Sequence, residues 1–280
     1  MLELVEVVWI RGNEKIRFNR PHTWFVLGVR GSGKSSFLEH IGEQYLRKDA
    51  CVVDLFGSRD GEGLAWLRSR WAKRKNILLL KGDNVNVKAP VDVKNASDFT
   101  LQEILDYDII ISASPLYEDI NEEYDKVNRI VDILYKRFTW KRLVYVIVRE
   151  AANLYYSRLK LVENQVEAKT QFIYLLREAR HMGIALGLDT LKYTSIDVDV
   201  RTLSDFMVIK QLGVLGLPRD LSWLYSFFDP IKLQNLKPQY FVIVSKEGSI
   251  GVGSFPYPKW HKKEKENILE KTGVEVETYL

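Results

Sequence analysis

Gly28-Val29-Arg30-Gly31-Ser32-Gly33-Lys34-Ser35 has the spacing of a Walker A loop, and this stretch decides the fold that the sequence predicts. The apolar run 24–27 before it predicts a strand, and the apolar residues after it, from Phe37 to Tyr45, recur with helical spacing. Glycines allow the backbone amides of such a loop to turn toward phosphate oxygens, and the following helix adds the positive end of its dipole. We therefore predict that the chain binds a nucleoside triphosphate.

The residues of this loop have separate expected roles. Lys34 is expected to reach the β- and γ-phosphates of ATP, and the Ser35 hydroxyl is expected to bind Mg²⁺. ATP and Mg²⁺ are therefore the predicted cofactors. The predicted nucleotide-binding residues are Gly28, Val29, Arg30, Gly31, Ser32, Gly33, Lys34, Ser35 and Ser36.

The composition is that of an ordinary globular protein. The 280 residues, of which 46% are hydrophobic and 28% charged, suit one large domain over 1–280. The net charge of +4 neither requires nor opposes nucleic-acid binding, and the single cysteine, Cys51, excludes a disulfide framework. No apolar stretch approaches the length of a membrane span, and the N-terminus lacks a signal-peptide pattern. We expect a cytoplasmic protein, and the cytoplasm can be that of an infected or plasmid-bearing host cell.

Short apolar runs alternate with helical patterns, which predicts an α/β fold with a central, mostly parallel sheet flanked by helices. Short β-hairpins are predicted at both ends: one over residues 1–20, and one within a C-terminal hairpin and charged tail over 236–280. The predicted strands are 50–55, 77–80, 108–112, 143–148, 184–188 and 206–210, and the predicted helices are 65–74, 98–105, 120–138, 162–180, 221–228 and a charged one from about Lys262.

A second motif follows the apolar strand 143–148, which ends in Arg149-Glu150. A buried strand that delivers carboxylates to the γ-phosphate is the Walker B arrangement, usually ending in Asp-Glu. Glu150 stands at the position that polarises the attacking water, whereas Arg149 replaces the aspartate. The alternative for Glu150 is a solvent-facing carboxylate that is favoured by a helix N-terminus.

Three interpretations of Arg149 are open at this point. Asp54 or Asp189, each at the end of a predicted strand, could replace the missing aspartate as a Mg²⁺ ligand. Arg149 could instead contact phosphate or pair with one of those aspartates. In the third interpretation hydrolysis has been lost and only nucleotide binding remains.

Five further stretches carry a resemblance to a known family. They are 52–57, in which Asp54 is followed shortly by Gly57, and 177–188, 200–209, 236–244 and 255–261. Together with the phosphate loop they resemble the HerA/FtsK branch of the RecA-like P-loop ATPases, which includes secretion coupling ATPases and viral genome-packaging ATPases. The resemblance covers most of 22–262 and implies a RecA-like ATPase domain. The length leaves no room for the additional modules of cellular members, so plasmid- or virus-borne members are the most similar.

The resemblance also implies a set of functional residues and partners. Thr190 stands near the position of the family's sensor residue, and an arginine from a neighbouring subunit completes each site; Arg180, Arg201 and Arg219 are the candidates. The implied assembly is a homo-oligomeric, hexameric ring that moves double-stranded DNA. Each of the three arginines could equally be an ordinary surface or salt-bridging residue.

Two basic segments are candidate DNA contacts: 66–75, with two interleaved tryptophans, and 259–263. For the first, an amphipathic helix with buried tryptophans is the favoured interpretation. The four histidines and Cys51 show no metal-ligand spacing. The predicted function is an ATP hydrolase that moves double-stranded DNA. The alternatives are a nucleotide-switched assembly module with little hydrolysis and a secretion or assembly ATPase with a protein partner.

Overall fold

The computed structural model describes residues 6–56, 60–137, 142–152, 165–214 and 216–278. A large sheet of eleven strands has the order β1-β12-β11-β10-β2-β9-β8-β3-β7-β4-β6, and β13 pairs with β5 in a separate two-stranded sheet. The strands are β1 Glu6–Arg11, β2 Thr23–Leu27, β3 Cys51–Phe56, β4 Ile77–Lys81, β5 Val85–Lys88, β6 Asp92–Asn95, β7 Ile109–Ile111, β8 Val144–Val148, β9 Ile184–Thr190, β10 Phe206–Ile209, β11 Tyr240–Ser245, β12 Ile250–Ser254 and β13 Glu275–Thr278.

Helices connect these strands along the chain. The α-helices are α1 Lys34–Leu46, α2 Gln102–Asp106, α3 Ile120–Arg137, α4 Gln165–Glu178, α5 Val198–Thr202, α6 Pro230–Gln234 and α7 Ile268–Thr272; short 3₁₀ helices cover Glu62–Arg68, Ala96–Asp98, Ser114–Leu116, Tyr193–Ser195 and Arg219–Ser226. In the part of the chain that the structure covers, no helix combines the length and apolar character needed to cross a bilayer.

The strands from β10 to β6 run parallel to their neighbours, as the apolar runs predict. β2, β8 and β9 are buried along their whole length, which is the pattern of a sheet covered on both faces. β9 lies between β2 and β8, with Leu27 opposite Thr190 and Val148 opposite Leu188. The residues that follow these three strands therefore meet at one edge of the sheet.

The antiparallel part of the sheet corrects the predicted N-terminal hairpin. β11 and β12 form the predicted C-terminal hairpin, but β1 pairs with β12 and not with residues 15–18. The apolar alternation that suggested a hairpin reflects a strand whose partner lies more than 200 residues away in the sequence. Residues 1–5 of that predicted hairpin lie outside the described residues.

Several predicted helices differ from the prediction in type, length or position. The segment predicted as a helix over 65–74 is a 3₁₀ helix, Glu62–Arg68, followed by turns, and the segment 221–228 is the 3₁₀ helix Arg219–Ser226. Asp98 does not begin an α-helix; Thr100 precedes α2, and its backbone N–H and hydroxyl donate to the Glu103 carboxylate at 2.7 Å. Residues 138 and 162–164 of two predicted helices, and Gly57, lie outside the described residues.

The C-terminal strap, residues 255–266, crosses the molecule beside α1. Trp260 packs against the fully buried Trp66, with ring centroids 4.5 Å apart, and its indole Nε1 donates to Glu43 at 3.1 Å. Arg68 donates to Glu266 at 2.6 Å and to the Trp260 carbonyl at 2.9 Å. These contacts fasten the strap to α1 and to the 3₁₀ helix that follows β3.

Candidate functional site

The phosphate loop connects β2 to α1 at the carboxyl edge of the parallel strands. Its first residues are held by the neighbouring strand ends, because the Gly28 N–H donates to the Thr190 carbonyl at 3.3 Å and the Val29 N–H donates to the Gln211 carbonyl at 2.9 Å. α1 begins at Lys34, so Lys34, Ser35 and Ser36 form its first turn. Backbone amides at such a helix N-terminus are available to an anion.

Two glycines of the loop are required by geometry. Gly33 has a φ of +83°, and a Cβ there would lie 2.8 Å from the Pro238 carbonyl oxygen. A Cβ on Gly28 would lie 2.8 Å from Cβ of Lys210. Gly31 also has a positive φ, +75°, but nothing lies within 4 Å of where its Cβ would be, so this glycine faces open space. The loop is thus packed on one side and open on the other.

Lys34 and Glu150 face each other across the site. Lys34 Nζ lies 3.7 Å from Glu150 Oε1 and donates to the Val29 carbonyl at 3.3 Å. Glu150 is the second residue after β8, with Arg149 between them. Its φ is +45°, a left-handed conformation that is uncommon for a residue with a side chain. Such a conformation persists only where the surroundings hold it.

Asp189, near the end of β9, holds this turn. Its carboxylate accepts hydrogen bonds from the Glu150 backbone N–H through Oδ1 and from the Ser35 hydroxyl through Oδ2, the latter at 3.3 Å. Its carbonyl accepts the Ala151 N–H at 2.8 Å. Asp189 is fully buried, and this burial raises its pKa above the usual value. One carboxylate therefore joins the phosphate loop to the turn that carries Glu150.

The pKa of Glu150 is raised to about 7. Partial burial is the largest cause, the nearby Asp189 carboxylate adds to it, and the Lys34 ammonium opposes it. A carboxylate with a pKa near neutrality can exchange a proton with water under ordinary conditions, as a general base must.

Arg149 is a buried charge centre behind the site. Its guanidinium, 1% exposed, donates from Nε to Asp54 Oδ1 at 3.0 Å and from Nη2 to Asp54 Oδ2 at 2.6 Å. It also donates to Glu39 at 2.9 Å and to Glu62 at 3.1 Å. Of the three interpretations open from the sequence, the structure therefore has Arg149 paired with Asp54.

This pairing separates the two aspartates that were candidate Mg²⁺ ligands. Both oxygens of Asp54 are occupied, since Oδ2 also accepts the Trp66 indole N–H at 2.8 Å. Asp189, in contrast, lies against the Ser35 hydroxyl. Asp54 is thus committed to the buried network, whereas Asp189 lies beside the phosphate loop.

Glu62 is a candidate that the sequence motifs do not single out. It begins the 3₁₀ helix after β3, next to Gly61, and its carboxylate hydrogen-bonds to Ser35 as well as to Arg149. Burial alone would raise the pKa of Glu62, but the Arg149 charge holds this pKa below its usual value. The only sequence signal is an acidic residue shortly after a strand that ends near the site.

The strap reaches the same network through His261, whose Nδ1 lies 2.8 Å from Glu39 Oε2. Burial alone would lower the pKa of His261, but the Glu39 carboxylate raises it above its usual value. Glu39 is fully buried on α1, one turn beyond the phosphate loop. His261 and Arg149 thus both contact the buried carboxylate of Glu39, and Arg149 also pairs with Asp54.

Two residues flank the loop from the neighbouring strands, Thr190 at the end of β9 and Lys210 directly after β10. Thr190 is buried, and its hydroxyl contacts the Lys192 backbone, with no hydrogen bond to the loop side chains among the described residues. Lys210 is buried beneath the loop, where its Nζ donates to the carbonyls of Pro238 and Tyr240 at 2.5 and 2.8 Å. Desolvation lowers the pKa of Lys210 to about 7.

The three arginines proposed to act in a neighbouring subunit lie apart from the loop. Within the described chain, no hydrogen bond or ion pair joins Arg180, Arg201 or Arg219 to the site residues. Arg201 lies over the Tyr193 ring at 4.3 Å and 3.6 Å from Asp220. Arg180 and Arg219 are exposed. Which of them acts in trans stays a prediction.

The basic segment 66–75 is largely neutralised by contacts within the fold. Arg68 pairs with Glu266, Arg70 pairs with Glu43 at 3.0 Å, and Lys75 lies 3.4 Å from Asp108. Trp66 is fully buried and Trp71 packs partly buried against the core. The favoured interpretation, buried tryptophans with a solvated basic face, fits this arrangement, although the backbone is not α-helical.

The loop and its neighbours fit a nucleotide with Mg²⁺. The Ser32 hydroxyl is buried without a hydrogen-bond partner among the described residues, and Ser35, Asp189 and Glu62 supply hard oxygen atoms, which Mg²⁺ prefers. The described residues contain no cluster of three or more His, Cys, Asp or Glu side chains that could hold a metal alone. An ion here would therefore share its coordination with phosphate and water, as Mg²⁺ commonly does.

The structure is similar to solved P-loop NTPases. The genome-packaging NTPase B204 from Sulfolobus turreted icosahedral virus 2, in complex with sulfate, covers 85% of this chain and 98% of its own, at 16% identity and a TM-score of 0.50. Its complex with AMPPCP covers 84% and 98%, with the same identity and score. This likeness shows the fold, a mostly parallel sheet flanked by helices of the RecA-like P-loop type.

A third similar structure is the pCW3 conjugation coupling protein TcpA with ATPγS, which covers 90% of this chain and 66% of its own at 15% identity and a TM-score of 0.49. No protein-family model matches the chain, and no curated protein matches its sequence. At the level of the fold, the predicted α/β class and the resemblance to HerA/FtsK-type P-loop ATPases are confirmed.

Arg149→Met is expected to destabilise the protein by about 3–5 kcal/mol, because it leaves the carboxylates of Asp54 and Glu39 buried without their cation. Chemical denaturation of the nucleotide-free chain measures this change. The control is Arg177→Met, which removes a half-exposed ion pair with Asp199 and should cost less than about 1 kcal/mol. Equal losses in the two variants would contradict the proposed charge balance.

Glu150→Gln is expected to flatten the pH dependence of stability in the nucleotide-free chain. Because the pKa of Glu150 is raised from 4.5 to about 7 on folding, the folded chain binds this proton more tightly, so the unfolding free energy falls as pH rises between these values. Denaturation at a series of pH values measures the slope. The control is Glu247→Gln at an exposed residue, which should leave the slope of the unfolding free energy against pH as in the wild type. A steeper fall of the unfolding free energy with pH in Glu150→Gln than in the wild type would be inconsistent with the raised pKa.

Proposed function

We propose that this protein is an ATP-hydrolysing motor that moves double-stranded DNA as a homo-oligomeric ring. The observation that carries the hydrolytic part is the convergence of Lys34, Ser35, Asp189 and Glu150 at the carboxyl edge of β2, β8 and β9. The DNA and ring parts are supported by the fold shared with a genome-packaging NTPase over 85% of the chain.

In this proposal the phosphate loop binds and positions the triphosphate. The amides of the first turn of α1 face the phosphates, and the Lys34 ammonium moves from its contacts with Val29 and Glu150 to the β- and γ-phosphate oxygens. Positioning and electrostatic stabilisation account for most of the catalysis in phosphoryl transfer. Removing the Lys34 charge from Glu150 also leaves that carboxylate free to act on water.

Glu150 is the proposed general base, and it orients the water that attacks the γ-phosphate. Its left-handed backbone, held by Asp189, aims the carboxylate toward Lys34 and hence toward the phosphate end of the site. Its raised pKa matches the exchange of a proton near neutral pH. Thr190, at the end of the same strand as Asp189, is the proposed sensor of the nucleotide state.

Mg²⁺ would be held by the Ser35 hydroxyl with Asp189 as the carboxylate that replaces the Walker B aspartate, and Glu62 is the second candidate. When bound, the ion would neutralise phosphate charge. Arg149 cannot serve as a ligand, since a guanidinium has no acceptor. Its proposed role is to balance Asp54, Glu39 and Glu62, which keeps the catalytic face from carrying an excess of negative charge.

Asp189→Asn is expected to raise the Mg²⁺ concentration required for half-maximal nucleotide binding by roughly 10- to 100-fold. Binding of fluorescent ATP without Mg²⁺ should change much less, because the loop amides and Lys34 remain. Asp199→Asn, at a half-exposed residue outside the site, is the control. If Glu62→Gln shows the larger change, Glu62 and not Asp189 replaces the Walker B aspartate.

Steady-state ATP hydrolysis with and without double-stranded DNA tests the motor proposal. We expect DNA-stimulated turnover in the wild type, loss of nucleotide binding in Lys34→Ala, and retained binding with turnover at least about 100-fold slower in Glu150→Gln. Intact turnover in Glu150→Gln would remove the assignment of the base. Tight ATP binding without turnover would favour the nucleotide-switched assembly module, and turnover that responds to a protein partner would favour the secretion or assembly ATPase.

A further inference from the structure

A cavity, which we term the basic cleft, lies at the edge of the sheet opposite the phosphate loop. It has a volume of about 520 Å³, and its lining includes Lys15, Arg17, Arg20, His22 and Arg180 but no carboxylate. The side chains of the four cationic residues are exposed. Burial lowers the pKa of His22, so at neutral pH the positive charge of the cleft comes from the other four side chains.

The position of the cleft follows from the topology. Residues 15–22 lead into β2, and Arg180 lies in the turn between α4 and β9. β2 and β9 are parallel neighbours, so their beginnings lie together at the edge opposite the phosphate loop. Two chain segments separated by more than 150 residues are thus joined into one basic surface by the pairing of β2 with β9.

The charges of the cleft are not compensated. Within the described residues, none of its four cationic side chains forms an ion pair. In contrast, Arg68 and Arg70, which line a separate cavity beside the strap, pair with Glu266 and Glu43. The nearest acidic influence on the cleft is Asp205, which acts on His22. That carboxylate already accepts the Thr23 N–H at 2.9 Å and pairs with Lys246.

We infer that the basic cleft binds the phosphodiester backbone of double-stranded DNA. This inference rests on the proposed function and names the surface by which the motor holds its substrate. Three guanidinium groups and one ammonium group offer forked and point-charge contacts to phosphate oxygens. An uncompensated group of cations on an exposed surface gains affinity by releasing counterions from DNA.

Backbone phosphate, and not base sequence, is the chemistry that this surface recognises. Arg17 and Arg20 lie on an irregular segment before β2, not on a helix or β-ribbon of the kind that enters a major groove. Phosphate contacts bind DNA without regard to sequence. The cleft therefore suits a protein that must grip DNA at successive positions.

The test compares Lys15→Gln/Arg17→Gln/Arg20→Gln with a control of equal charge, Lys48→Gln/Arg129→Gln/Lys271→Gln, whose residues are exposed and outside the cleft. The probe is a fluorescent 30-base-pair duplex, and its dissociation constant is measured by anisotropy over a range of salt concentrations. The cleft variant should bind roughly 10- to 100-fold more weakly than the control at 0.1 M salt, with a slope of log K against log salt smaller by about 2–3.

Two measurements separate the possible failures. DNA-independent ATP hydrolysis should be equal in the two triple variants, since both keep the phosphate loop, and this reports that they fold. Equal DNA affinity and salt slope in the two variants, with DNA binding intact, would overturn the cleft assignment but leave the proposed function standing. A wild-type chain that neither binds duplex nor responds to it would overturn both.

Other anions are distinguished by competition. Poly-glutamate tests for an acidic protein partner, and inorganic phosphate tests for a site that takes the free ion. Loss of poly-glutamate binding in the cleft variant with unchanged duplex affinity would overturn the inference in favour of a protein ligand. Displacement of the duplex by millimolar phosphate alone would overturn it in favour of a small-anion site.

Discussion

The structure depends on the buried guanidinium of Arg149. Three acidic side chains from three separate segments meet on it: Glu39 of α1, Asp54 of β3 and Glu62 of the following 3₁₀ helix. Charges buried this deeply are tolerated only when each is paired and hydrogen-bonded. The position of β8 relative to α1 and β3 is therefore determined by electrostatics as well as by apolar packing. Because Glu150 directly follows Arg149, these contacts also determine where Glu150 lies.

The side of this arrangement that faces the phosphate loop depends on Asp189 in the same way. Arg149 positions the end of β8 from behind, while Asp189 binds the backbone of the next residue from the neighbouring strand and the Ser35 hydroxyl from the phosphate loop. β8 is thus followed by a cation, Arg149, that is paired behind the strand, and by a backbone N–H, of Glu150, that is bound by the carboxylate of Asp189. An arginine at a position that usually holds aspartate is compatible with a complete acidic site, because the acidic groups come from adjacent strands and loops.

The sequence predicted those features that depend on local pattern. The phosphate loop, the parallel strands and the C-terminal hairpin are encoded by contiguous residues and appear where expected. Pairings between distant segments were not predictable: β1 lies against β12, and Glu39 and Glu62 reach Arg149 only in the folded chain. Asp54 and Asp189 could be proposed as strand-end carboxylates, but periodicity does not indicate which of them faces an arginine and which faces a serine.

The C-terminal strap has a consequence for how the protein is made. His261 contacts Glu39 across 222 residues of sequence, and Trp260 and Glu266 fasten the same region to α1 and Arg68. During synthesis the phosphate loop leaves the ribosome long before these partners exist, and contacts of such long sequence separation form late. The nascent chain therefore carries the buried acidic residue of α1 without its histidine partner until 222 further residues have been synthesised, which delays completion of the charge network beside the phosphate loop.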